Sequence, residues 1–162
     1  MQIEMTIKGL TVDRATNMPI ILLRDKDGDR VLPIWVGGAE ANAIAMQIEN
    51  VSVPRPMTHD LLKNVIQDLH GDIKKIVVYD LKENTFYAMI YVSTNGEVVA
   101  IDSRPSDAIA LALRVKAPIF VEEEIITKAK TSPMGGPEEL QAEHLQRWLE
   151  SLEPDELGKY KM

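Results

Sequence analysis

Cysteine is absent from the 162 residues of this chain. That excludes disulfides and thiolate zinc sites, and it leaves the compartment unconstrained by redox chemistry. Aromatic residues are scarce, with two Trp, four Tyr and two Phe, too few for a platform on which single-stranded bases stack. Basic residues are outnumbered: 18 Lys and Arg stand against 25 Asp and Glu, for a net charge of −7. This balance excludes a broad basic surface that grips nucleic acid by counterion release, though not a local basic cleft. No apolar run approaches a membrane span. The opening Met1-Gln2-Ile3-Glu4-Met5 has neither a basic n-region nor an apolar h-region, so no signal peptide is expected. The expectation is a cytoplasmic protein with no membrane partner.

What is present is an ordinary globular mixture, 45% hydrophobic and 27% charged, in a length that suits one domain with a short tail. The expected boundaries are a domain over 1–130 and a linker with a helical tail over 131–162. The stretch that organises the rest is Ile101-Asp102-Ser103-Arg104-Pro105-Ser106-Asp107, followed by Ala108 to Leu113. It reads as a strand end, a polar turn and a helix start. The helix is apolar on every side and must be buried, so the polar turn feeding it is pinned against the core. Charges held at a helix N-terminus are where anion binding is physically cheap.

Turn signals divide the remainder. Strands are expected at Met5 to Val12, Met18 to Leu23 and Val31 to Val36, then a helix from about Glu40 to Glu49. Asp27-Gly28 marks the hairpin between the second and third strands. A second series follows: Ile76 to Tyr79, Thr85 to Val92 and Val98 to Ile101, with an Asn95-Gly96 hairpin turn, then the central helix. The order strand–strand–strand–helix thus occurs twice, and Asn42-Ala43-Ile44-Ala45-Met46 overlays Asp107-Ala108-Ile109-Ala110-Leu111. Between the two series a helix runs to about Leu69, with Leu61, Leu62, Val65, Ile66 and Leu69 on one stripe and Gly71 as its stop. Ala117 to Val121 reads as a last strand, placed at an edge by Pro118. Thr131 to Pro137 reads as a linker. The final helix, about Pro137 to Leu152, puts Leu140, Leu145, Trp148, Leu149 and Leu152 on one face, for docking on its own domain or on a partner. The expected class is α+β: a duplicated βββα unit with a mixed sheet and an intervening helix, plus a C-terminal helix.

Two polar corners echo each other. Arg55-Pro56-Met57-Thr58-His59-Asp60 and Arg104-Pro105-Ser106-Asp107 each run Arg-Pro, then a hydroxyl residue, then Asp at a helix start. Capping alone accounts for Ser, Thr, Asp and Pro at such positions. It does not account for Arg, which the helix dipole disfavours there, nor for His59 beside Asp60. If the corners share a pocket, Arg55 and Arg104 with Thr58 and Ser106 are phosphate-binding candidates. His59, Asp60 and Asp107 are catalytic candidates. Glu40 and Asp102 are candidates for a divalent cation, Mg or Mn, held through oxygen. Two other motifs fail. Asp25-Lys26-Asp27-Gly28-Asp29 has its Gly at the fourth place of a would-be calcium loop and Val36 at the twelfth, where Glu is needed. Gly37-Gly38 lacks the third glycine and the Lys-Ser/Thr of phosphate loops.

Taken together, Val31-Leu32-Pro33-Ile34-Trp35-Val36-Gly37, Glu40-Ala41, Arg55 to Leu61, Phe86-Tyr87-Ala88 and Asp102 to Ala112 resemble the bifunctional nuclease domain, in order and spacing, from about Met5 to Ile126. The resemblance implies a compact α+β domain that cleaves DNA and RNA, so nucleic acid is the implied substrate. It also implies self-association, with a homodimer as the simplest form. It supplies no catalytic residue, so the candidate site rests on the two corners. The leading expectation is a metal-assisted nuclease of modest activity. The alternative is a non-enzymatic module that binds a phosphoryl ligand or a protein.

Overall fold

The computed structural model describes residues 1–130, so the expected linker and C-terminal helix lie outside the described residues. Seven strands form one mixed sheet: β1 (Gln2–Val12), β2 (Pro19–Asp25), β3 (Val31–Trp35), β4 (Asp72–Lys82), β5 (Thr85–Thr94), β6 (Glu97–Ser103) and β7 (Ile119–Glu122). Four helices accompany them: α1 (Gly38–Ile48), α2 (Thr58–Asp68), α3 (Pro105–Val115) and α4 (Glu123–Lys130). The class is α+β, as the sequence implies. Among the described residues, no helix is long and apolar enough to cross a membrane.

The strands stand in the order β3-β2-β1-β7-β4-β5-β6. Each half is an antiparallel meander closed by turns that the sequence announces. Asn95 and Gly96 both take positive φ, the geometry that matches the natural twist of a two-residue hairpin. Glu83 and Asn84 do the same between β4 and β5. In the β2–β3 loop, the Asp25 carboxylate accepts from the Asp27 N–H and from Arg30, so the calcium-like motif is a hairpin loop.

The last strand corrects the sequence reading. β7 is central, antiparallel to β1 and parallel to β4. Pro118 lies one residue before it, where a missing N–H costs the ladder nothing, and the Pro118 carbonyl accepts from the Ile76 N–H at 3.1 Å. α4 is a helix the periodicity did not announce; it packs on β3, β4 and β7 and buries Ile125, Ile126 and Ala129.

The order strand–strand–strand–helix recurs as β1–β2–β3–α1 and β4–β5–β6–α3. The helix starts are out of step with the sequence overlay, however. Counted from the N-caps Gly37 and Arg104, Asp107 corresponds to Glu40 and not to Asn42. α3 is buried as its composition requires: Ala108 to Ala112 are wholly inaccessible. Burying side chains such as Ile109 and Leu111 contributes about 2 kcal/mol each. α3 packs on α1, α2, β4 and β5.

α2 differs from expectation in its stop, and its stripe takes a side that the periodicity leaves open. Its apolar stripe faces outward, with Leu61, Leu62, Val65 and Leu69 exposed. Its inward contacts are His59, the half-buried Ile66 and Asp60. Its stop is His70, at φ 66°, with the Gly71 N–H bonded to the Ile66 carbonyl at 2.8 Å, a Schellman closure. Gly71 is needed there for space, since a Cβ would meet Ile66 and Val92 within 3.0 Å.

Candidate active site

Three helices begin close to one another, and each carries a carboxylate at its third position: Glu40 on α1, Asp60 on α2 and Asp107 on α3. Acid in the first turn is favoured by the helix dipole. All three carboxylates are also met by arginine.

The centre is the contact between His59 and Asp107, which are 48 residues apart in the chain. His59 Nε2 lies 2.8 Å from Asp107 Oδ1. His59 is 8% exposed, held between the start of α2 and the start of α3. Its Nδ1 makes no hydrogen bond among the described residues. The second Asp107 oxygen accepts from Arg104 Nε at 2.8 Å. Arg104 Nη2 then donates to Glu40 Oε1 at 2.6 Å. The result is a connected row, His59–Asp107–Arg104–Glu40. Glu40 first and Asp107 second hold the Arg104 guanidinium above its ordinary pKa, so it stays charged. Its side chain is 65% exposed, and Nη1 is unengaged among the described residues. The Glu40 carboxylate lies across Gly37, and a Cβ at that position would collide with it.

Asp60, one residue along, meets the far end of α3. One oxygen accepts from the Met57 N–H at 3.0 Å, closing the start of α2. The other accepts from Arg114 Nε at 2.7 Å. Arg114 is almost wholly buried and also donates to the carbonyls of Ala110 and Ala43. Burial pushes the Asp60 carboxyl up, but the Met57 N–H and the Arg114 guanidinium outweigh it and hold the group below its ordinary range.

Of the expected residues, the fold thus gathers His59, Asp107, Arg104 and Glu40. Asp60 is spent on α2 and Arg114. Ser106 is buried in the first turn of α3, and Thr58 is exposed at the start of α2. Arg55 lines a recess whose walls do not include Arg104. Asp102 is exposed on β6, in register with Met89. Among the described residues, no three of His, Asp and Glu gather as a metal would require, and Glu40 is already bound by Arg104. The expected Glu40–Asp102 pair therefore does not fit a metal ion as the side chains stand. Sequence reasoning passed over Arg114. The available signal was a cation placed directly after the all-apolar run Ala108 to Leu113.

The sequence pattern described as the bifunctional nuclease domain matches residues 21–134. An uncharacterized protein of Mycobacterium tuberculosis is 39% identical over 161 residues, covering 94% of this chain and 96% of that protein. Two plant proteins are more distant. Bifunctional nuclease 1 of Arabidopsis thaliana is 30% identical over 65% of this chain and 34% of its own length. Bifunctional nuclease 2 of Oryza sativa subsp. japonica is 29% identical over 73% and 38%. This chain spans little more than a third of either plant protein.

Proposed function

The chain belongs to the bifunctional nuclease domain family, and from that premise we propose that it hydrolyses phosphodiester bonds of DNA and RNA at the His59–Asp107 couple. The observation that carries this reading is the 2.8 Å contact between His59 Nε2 and Asp107 Oδ1. A carboxylate on one ring nitrogen fixes the tautomer and orientation of the imidazole and leaves the other nitrogen to move a proton. In the proposed reaction, His59 Nδ1 takes a proton from the attacking water or returns one to the leaving oxygen. Arg104, held charged and open on one edge, offers N–H donors to the phosphate. No step is routed through a metal; magnesium and manganese enter as conditions of the assay.

Purified protein is incubated with single-stranded DNA and RNA, with and without Mg or Mn. His59→Gln and Asp107→Asn should each lower cleavage about 100-fold or more, with melting close to wild type. Cleavage that survives both substitutions places the chemistry elsewhere.

The second reading, a binding module without turnover, is favoured by the outward stripe on α2. It predicts retained nucleic-acid or protein binding with no cleavage under any metal condition. Self-association is also proposed, through a second copy paired at β6. Among the described residues that strand is a sheet edge with Val98, Val99 and Ile101 exposed, and an edge of this kind pairs readily with its own copy about a two-fold axis. Val98→Lys should shift the sedimentation coefficient toward the monomer. An unchanged coefficient removes β6 from the interface.

A further inference from the structure

Behind the first turn of α2 lies a recess of about 360 Å³, with Arg55, Lys63 and Arg114 in its wall and Asp60 as its one carboxylate among the described residues. Arg114 and Asp60 neutralise each other at 2.7 Å. Among the described residues, neither Arg55 nor Lys63 makes an ion pair. Lys63 is felt by Asp60 only through space. The recess therefore carries about two uncompensated positive charges in a chain whose net charge is −7. Carboxylates outnumber cations over the whole sequence, so leaving two cations together without one is a local departure from the chain's balance. Asn64 and Gln47 add neutral donors to the same wall, and Met46 and Val53 supply an apolar side. The volume falls in the range of sites that hold a small ligand.

We propose that this recess is a phosphoryl-binding site, distinct from the His59–Asp107 couple. Arg55 and Lys63 hold the phosphate oxygens, and the Arg114–Asp60 pair acts as the rigid floor. The planar fork of Arg55 suits paired oxygens, and the Lys63 ammonium acts as a point charge. Two free positive charges match either two internal phosphodiesters of a strand or one terminal phosphate of a mononucleotide. The choice of a nucleic-acid phosphate rests on the nuclease reading above; the phosphoryl chemistry does not. His59 and Asp60 are adjacent on α2; His59 meets the start of α3 and Asp60 meets its end. A strand anchored at the recess, whose wall includes Asp60, lies beside the residue next to His59 in the chain.

Binding is measured on the full chain without divalent ions. One probe is a single-stranded phosphorothioate DNA lacking a terminal phosphate; the other is a 5′-mononucleotide. The variants are Arg55→Gln, Lys63→Gln, the pair together, and Lys74→Gln on β4, outside the recess wall, as a control. The double variant should weaken binding of at least one probe tenfold or more and melt like wild type. For the DNA, the slope of log K against log salt should fall by about 1.4, at roughly 0.7 for each lost contact to a single strand. Loss confined to the DNA identifies a backbone phosphate, and loss confined to the mononucleotide identifies a terminal one. Affinity and salt slope unchanged in the double variant for both probes overturn the proposal. His59→Gln separates the two readings. It should bind as wild type does while losing cleavage, and a wild type that never cleaves defeats the nuclease reading while the binding measurements still decide the recess.

Discussion

The corners Arg55–Asp60 and Arg104–Asp107 share a sequence pattern and put Asp at the same helical position, yet the fold uses them differently. Asp60 closes its own helix through the Met57 N–H and anchors the buried Arg114. Asp107 gives neither oxygen to the backbone; one goes to His59 and the other to Arg104. The arginines divide in the same way. Arg104 is held between two carboxylates, whereas Arg55 opens onto the recess and makes no ion pair among the described residues. The lesson is that one local motif can be spent on stability or left to face a ligand. Whether the neighbouring helix presents a buried cation or a ring nitrogen decides which.

The sharpest way to break this contrast is to exchange the losses. Asp60→Asn leaves Arg114 buried without its counter-charge and should cost about 3 kcal/mol of stability, read by denaturant unfolding, with cleavage retained in the fraction that folds. Asp107→Asn should reverse the pattern, losing cleavage while keeping the melt. If Asp107→Asn unfolds the protein and Asp60→Asn abolishes cleavage in a folded one, the two corners have been assigned the wrong way round.

A subtler intervention is Gly37→Ala. The added Cβ would occupy the place of the Glu40 carboxylate. Gly37 has an ordinary negative φ of −71°, so the backbone accepts alanine. Glu40 must swing away from Arg104, and cleavage should fall several-fold while stability drops by no more than about 1 kcal/mol. Unchanged kinetics would remove Glu40 from the working row.

The smallest expected effect is on acid stability. The folded Asp60 carboxyl lies below its unfolded value of about 3.9, so its contribution is complete above that pH and is lost as pH falls through the lower, folded value. The acid limb of the stability curve should be shallower in Asp60→Asn than in wild type. Equal slopes would mean that the Arg114 pairing does not differ in the way described.

Much of the fold was legible before any coordinates. Asn95-Gly96 announced its hairpin because few other pairs accept a positive φ at both positions; Asp27-Gly28 marks a loop that is closed instead by the Asp25 carboxylate. The all-apolar run Ala108 to Leu113 announced a buried helix because no face of it suits water. The family resemblance is carried by contiguous motifs such as Val31 to Gly37 and Asp102 to Ala112. The misreadings share a cause. Pro118 was placed at an edge because a proline inside a ladder loses a donor, but it stands one residue outside the ladder. Leu61, Leu62, Val65 and Leu69 show the period of a buried face, yet periodicity states that a face is apolar and not what covers it. α4 was missed because its buried Ile125, Ile126 and Ala129 form too short a signal beside four strand residues.

By itself, the sequence determined the local elements, the burial of α3 and the presence of two similar arginine-proline corners, because these depend on backbone preference and hydrophobic period over a few neighbouring residues. Only the tertiary structure decided that β7 joins the two meanders, that His59 reaches Asp107 across 48 residues, and that Arg114 claims Asp60. Those outcomes depend on how α2 is laid across α3, and hydrogen bonds act over about 3 Å, so partners distant in the chain become visible only once the helices are packed.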